Sequence, residues 1–371
     1  MFDSFAEMRA RNAARLVHLV RENGQISRAE LARLSGLSKA TVSSIIEDLL
    51  ATDLLQETGS IPINKGRFPT GLVFNPRARC IIGLMLEDDR IGSICAVDCA
   101  GQLIEETPLK ANRRGGSESI YDVLKRHGYK KSSLLAIGIA VPGPIAPSKE
   151  IVIAELSKQL RKEFGRHPHV ESVVNCGAIA ETFGRPEQAA VSLFVRSGET
   201  VRSTLIVNGS IITKRADYGG DLGHTSLGGR TEVCECGNRG CVNALASEAA
   251  IISRLDKRER AKAKGLREVV ELCKRGNKAA ADSVGVAGQA IGQAIGSMLN
   301  VLAPANVVVC GELVDAGSIF WEPLLRGVKR QTLRQNLACS TLLSSSKGPH
   351  APALGAALLA LQNADLLGSV S

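Results

Sequence analysis

Between Ala6 and Glu22 the apolar residues Ala13, Leu16, Val17, Leu19 and Val20 recur at helical spacing, and Asn23-Gly24 closes that stretch. Ser27 is a good N-cap, and Glu30 three residues on completes a capping box, which predicts a short helix over Arg28 to Leu34. Ser35-Gly36-Leu37 makes a tight break. Ser38 then opens a further helix whose Val42, Ile45, Ile46 and Leu49 share one face. Leu54 to Thr58 and Thr70 to Phe74 read as two strands around a loop, Gly59 to Arg67.

Past Pro76 the period changes. Ile81 to Leu86 and Ile91 to Val97 are apolar runs of strand length, and Asp98 to Gly101 is a turn. A helix over Ser119 to His127, strands over Leu134 to Val141, Ser192 to Val195 and Ser203 to Ile212, and a long helix near Ala279 to Leu302 follow. The strand Val307 to Cys310 and a last helix, Leu354 to Gln362, complete the series. Strands alternating with helices predict an α/β body behind a small helical head. The expected units are a winged helix-turn-helix over 1–75, a first lobe over 76–190 and a second lobe over 191–371.

A chain of 371 residues exceeds one ordinary domain, in agreement with that division. No apolar run reaches the roughly 18 residues of a membrane span, and the N-terminus lacks a signal-peptide pattern, so a cytoplasmic protein with no membrane contact is expected. The net charge of +9 is compatible with a polyanionic partner but does not identify one.

The head carries the first chemistry. Two short helices joined by a glycine turn describe a helix-turn-helix, whose second helix enters the major groove by its N-terminal end. Ser38, Lys39, Thr41 and Ser44 stand there, and the exposed first-turn amides favour a phosphate. Lys65 and Arg67 flank Gly66 at the tip of the wing, placed for phosphate or minor-groove contact. The expected partner is a double-stranded DNA operator. Because the head's own charge is nearly balanced, a homodimer reading a two-fold symmetric site is expected.

The second chemistry is a loop. Gly223-His224 precedes Cys234-Glu235-Cys236-Gly237-Asn238-Arg239-Gly240-Cys241 by ten residues. Three thiolates and one imidazole make a full tetrahedral shell, so His224, Cys234, Cys236 and Cys241 are expected to hold a structural zinc ion. A Cys234–Cys236 disulfide across one residue would be strained. The other cysteines, Cys80, Cys95, Cys99, Cys273, Cys310 and Cys339, sit in apolar surroundings and are expected in the core.

That Gly-His and C-x-C-G-x-x-G-C arrangement resembles the ROK family (repressors, open reading frames and sugar kinases), with supporting stretches at Gly138 to Pro144 and Val307 to Leu313. A head ahead of such a body looks like the ROK repressors that respond to glucose, xylose or N-acetylglucosamine. The resemblance implies a two-lobed actin-like ATPase body, commonly dimeric or tetrameric.

Against the family's kinases, this chain departs in three places. Their Asp-x-Gly-Gly-Thr-like phosphate loop corresponds to Gly83-Leu84-Met85-Leu86-Glu87-Asp88-Asp89, which brings carboxylates to where phosphates would approach. Ser197 to Arg202 replaces a second glycine-rich loop, and Asn175-Cys176 replaces the Asn-Asp pair whose Asp is the base. No kinase activity is therefore expected. Of the family's sugar contacts, the chain offers Asn175, Asp221, His224 and Asn243 as the effector-binding set. Two readings stay open: an altered effector, or none, with the body acting through protein contacts.

Overall fold

The computed structural model describes residues 5–60, 69–87, 90–109, 116–143, 147–183, 190–212, 220–348 and 350–364. The head comprises α1 (Phe5–Asn23), β1 (Ile26–Ser27), α2 (Arg28–Ser35), α3 (Lys39–Ala51), β2 (Leu55–Ser60) and β3 (Thr70–Phe74). Leu16, Val20, Leu31, Ile45, Ile46, Leu54 and Leu72 form its own buried core. The wing gains a third strand that the sequence pattern hid. Two-residue β1 pairs antiparallel with β3, giving the order β1-β3-β2. Ser27 caps α2 by accepting from the Glu30 amide at 3.2 Å, but the Glu30 carboxylate turns to Arg33. Only half of the expected capping box is therefore seen. At the junction, the Arg79 guanidinium donates to the Thr52 carbonyl at 3.0 Å and the Cys99 amide to that of Pro76 at 2.9 Å.

The body begins with β4 (Cys80–Glu87), β5 (Arg90–Asp98), β6 (Leu103–Pro108), α4 (Gly116–Arg126), β7 (Leu134–Val141), α5 (Pro147–Phe164), β8 (His169–Ser172) and α6 (Val173–Thr182). Its second half holds β9 (Val191–Ser197), β10 (Arg202–Val207), β11 (Ser210–Ile211), α7 (Val242–Ala246), α8 (Glu248–Ser253), α9 (Lys257–Arg260), α10 (Leu266–Lys274) and α11 (Lys278–Leu302). There follow β12 (Asn306–Gly311), α12 (Ser318–Gln331), α13 (Arg334–Ala338), β13 (Thr341–Ser344) and α14 (Ala351–Asn363).

The two sheets repeat one topology. In the order β6-β5-β4-β7-β8 the first three strands are antiparallel neighbours and the last two join in parallel; β11-β10-β9-β12-β13 does the same. That duplication is the two-lobed actin-like ATPase arrangement. One expected strand, Ser203 to Ile212, proves to be two. Asn208 (φ +49°) and Gly209 (φ +75°) both take left-handed backbone, the two-residue turn of a tight hairpin.

The expected second lobe, 191–371, does not extend to the end of the chain. Helix α14 crosses back and lies on the first sheet, where its alanines join Ile81, Met85, Val97 and Cys176 in one core. Glycines permit this approach. A Cβ on Gly83 would stand 1.9 Å from the Ala353 carbonyl oxygen, and one on Gly138, its partner across β4 and β7, 2.0 Å from that of Ala356. Gly355 of α14 comes equally close to the Cys176 carbonyl of α6. Because the chain returns here, the first lobe is closed by its last helix. Of the cysteines expected in the core, Cys80, Cys95, Cys99 and Cys273 are buried, whereas Cys310 is half-buried and Cys339 is exposed at the end of α13.

Candidate functional site

Helix α3 is presented by the head much as its sequence pattern requires. Val42, Ile45, Ile46 and Leu49 are buried, leaving Lys39, Ala40 and Ser44 exposed and Thr41 half-buried. Ser38 is the N-cap: its Oγ accepts from the Thr41 amide at 3.1 Å and lies 2.9 Å from the Thr41 hydroxyl. Ser38 and Thr41 thus hold one another as well as facing solvent. Ser44 already accepts a hydrogen bond from Arg9 of α1 at 3.0 Å, and the same guanidinium pairs with Asp48. Lys65 and Arg67 lie outside the described residues.

The cysteine loop folds round a single point. A 3-10 turn, Leu222–His224, delivers the imidazole, and Cys241 is the N-cap residue of α7. Gly237 and Gly240, at φ +87° and +73°, turn the chain between the thiols. Amides bind it further: Cys234 N to Asn238 O at 2.8 Å, Gly240 N to Glu232 O at 2.9 Å and Leu227 N to Gly240 O at 2.8 Å. The three sulfurs and a His224 nitrogen all lie within 4.8 Å of one another. Cys236 and Cys241 sulfurs are 3.8 Å apart, far from the 2.05 Å of a disulfide, and Cys234 Sγ is 3.6 Å from His224 Nδ1. Such a set can hold a metal ion. Burial, and then its sulfur neighbours, push the Cys241 thiol up to about 12, while a backbone hydrogen bond at Asn238 draws Cys236 down.

Between the lobes lies a cleft of about 210 Å³, lined in part by Glu87, Ser172, Arg196, Thr200, Arg202 and Glu312. The four expected effector residues do not line it. Asn175 is fully buried: its amide donates to Glu171 at 2.9 Å and accepts from the Thr204 hydroxyl at 2.6 Å. Asn243 is buried too, accepting from the Val201 amide at 2.8 Å. Asp221 is exposed and pairs with Arg202 at 2.6 Å, and His224 belongs to the cysteine loop. Asn243 Oδ1 also stands against Gly223, so it adjoins the turn that carries Asp221 and His224, while the amides of Asn175 and Asn243 are engaged inside the protein. Cys176 is buried beneath α14, and burial, followed by the Glu171 charge, raises its thiol well above the ordinary range. It holds its proton and serves no base. At the first phosphate-loop position, β4 and β5 pair antiparallel with Glu87 opposite Arg90, and Asp88 and Asp89 lie outside the described residues.

The winged helix-turn-helix DNA-binding pattern matches residues 14–61, and the ROK family pattern matches residues 94–363, most of the chain. The chain belongs to the ROK family. Among similar ROK proteins are the xylose repressor of Bacillus spizizenii, 26% identical over 95% of each chain, and the DNA-binding transcriptional dual regulator NagC of Escherichia coli K12, 25% identical over 87% of this chain and 86% of that one. A solved ROK transcriptional regulator, described as a homolog of the E. coli MLC protein, superposes with a TM-score of 0.71 at 21% identity over 97% of this chain and 98% of that one. The ROK hexokinase of Thermus thermophilus superposes at 0.59 with 25% identity, covering 76% of this chain and 99% of its own.

Two arginines that line the cleft are paired with carboxylates. Arg202 reaches from β10 to Asp221, and the Arg196 guanidinium faces Glu312 at 3.9 Å. Sequence reading missed these pairs because the partners are far apart in the chain and nothing periodic marks them. Arg9 was missed for the same reason: it meets α3 only once α1 packs against it.

Proposed function

We propose that this ROK protein is a DNA-binding transcriptional regulator, a repressor acting as a homodimer in the cytoplasm, and not a kinase. The observation that carries this reading is the helix α3, capped by Ser38 and buried on its far side, with Lys39, Thr41 and Ser44 turned away from the head's core. Ser38, Lys39, Thr41 and Ser44 contact the major groove, and Lys65 and Arg67 contact the flanking backbone. Two copies on one two-fold axis read half-sites about one helical turn apart. Relatives that bear the names xylose repressor and N-acetylglucosamine repressor support a sugar-class effector. Closing the lobes over the cleft would change the spacing of paired heads and so the affinity for DNA.

The loop's ion is zinc. A tetrahedral zinc with bonds of about 2.3 Å to sulfur and about 2.05 Å to nitrogen sets sulfurs roughly 3.8 Å apart and sulfur from nitrogen roughly 3.6 Å. Those values agree with the spacings of 3.8 and 3.6 Å in the loop. With four protein ligands no position is left for substrate, so the ion acts as a cross-link between the 222–224 turn and the start of α7. The inward commitment of Asn175 and Asn243 favours a second reading of the body, in which no sugar is bound. A thermal-shift screen over pentoses, hexoses and amino sugars separates the two.

The test of the function is binding to a genomic duplex by fluorescence anisotropy. Lys39→Ala and Arg67→Ala each weaken it with the circular dichroism spectrum unchanged. Unaltered affinity in both variants would remove the proposed mode.

A further inference from the structure

Thr41, Ser44 and Asp48 follow one another at three and four residues along α3, so they form one stripe on that helix. If this stripe meets DNA, as the proposed function holds, a carboxylate stands on the reading face. A free Asp there would repel phosphates. The structure supplies a countercharge from outside the helix-turn-helix unit: Arg9, on the first helix, pairs through Nη2 with Asp48 and donates to Ser44 Oγ at 3.0 Å. Its side chain and that of Asp48 are 34% and 40% exposed, so both sit at the margin of the interface rather than in the core.

We propose that Arg9 is a positioning residue for operator binding: it masks the Asp48 carboxylate against the DNA backbone and fixes Ser44 on the reading stripe, without itself contacting a phosphate. With one lone pair of Ser44 Oγ taken by Arg9, the other lone pair and the O–H are left for DNA, and the O–H serves acceptors such as phosphate oxygens or the acceptor edges of guanine or thymine. Arg9→Ala would break the mask, and an uncovered like charge in a protein–DNA interface is repulsive.

The inference rests on the proposed DNA-binding function, and its test separates the two. The probe is a duplex recovered by the wild-type protein from random genomic fragments. Affinity is measured from 50 to 200 mM salt for wild type, Arg9→Ala, Arg9→Lys, Asp48→Asn and the Arg9→Ala/Asp48→Asn pair. Arg9→Ala should bind roughly tenfold more weakly. Arg9→Lys and the double variant should both return to within about threefold of wild type. A head that merely fails to fold without Arg9 would leave the double variant weak too, and circular-dichroism melts of Arg9→Ala and the double variant read directly any stability lost through the bared Asp48.

Two results overturn the inference. One is a double variant as weak as Arg9→Ala. The other is a fall of about one in the slope of log affinity against log salt on Arg9→Ala alone, the mark of a direct phosphate contact. Recovery of no duplex by wild type would instead sink the DNA-binding reading itself, and the inference with it.

Discussion

Removing one thiol from the loop tests the metal site without disturbing the core. Cys236 suits this because it is exposed, whereas Cys241 is buried and begins α7. Serine at 236 keeps the shape but offers a hydroxyl that does not ionise near neutral pH, so four ligands become three. Structural zinc in small four-ligand sites binds with about 10–16 kcal/mol near pH 7. Shared evenly over four ligands, that is about 2.5–4 kcal/mol each, or a roughly 60- to 700-fold loss of affinity at 1.4 kcal/mol per tenfold. Competition with a chromogenic chelator measures the change, and elemental analysis should fall from about one zinc per chain toward none. Cys339→Ser, at an exposed thiol just after α13 and outside the loop, serves as the control and should change nothing. Equal chelator resistance in wild type and Cys236→Ser would refute the assignment of ligands.

Three further outcomes follow from the packing and charge. Gly355→Ala places a methyl about where the Cys176 carbonyl stands, 1.7 Å away, so α14 must lift from α6; overpacking of this kind costs about 1–3 kcal/mol, read as a lower denaturant midpoint. Cys176→Asp restores the carboxylate of the family's kinases in a fully buried place that feels the Glu171 charge, and should cost about 3 kcal/mol or more while releasing no ADP in a coupled assay with sugars. Glu105 loses solvation, yet hydrogen bonds from Arg126, Thr107 and His127 outweigh this and hold its carboxyl at about 2. Its folded value lies below the unfolded one, so its stabilisation is complete above about 4.5 and fades as pH falls toward 2. Arg126→Ala should flatten the pH dependence of stability in that window.

How much of this was visible in the sequence depends on how local each signal was. The head was legible because caps and apolar stripes are local: Ser27, Ser38 and the face Val42, Ile45, Ile46 and Leu49 stand where the pattern put them. The cysteine loop was legible because its ligands come from one short segment and a histidine ten residues before it. The return of α14 was not. An alanine-rich helix shows no strong stripe, and the glycines that receive it, Gly83 and Gly138, sit in strands far earlier in the chain. The engagement of two effector candidates was hidden for a related reason. Asn175 and Asn243 keep residue types that suit a sugar, yet in three dimensions Thr204, Glu171 and Val201 use their hydrogen-bonding groups. Residue type survives in sequence; whether a side chain is free to bind is decided by neighbours the sequence does not place.

The central claim is that helix α3 reads duplex DNA. It is tested most directly by mapping the genomic fragments bound by the intact protein at about 0.15 M salt, beside its Lys39→Ala variant. The expected result is a small set of enriched sites with two-fold symmetric half-sites, lost or weakened in the variant. Fragments recovered at background level by the wild-type protein, or the same sites recovered equally well by Lys39→Ala, would contradict it.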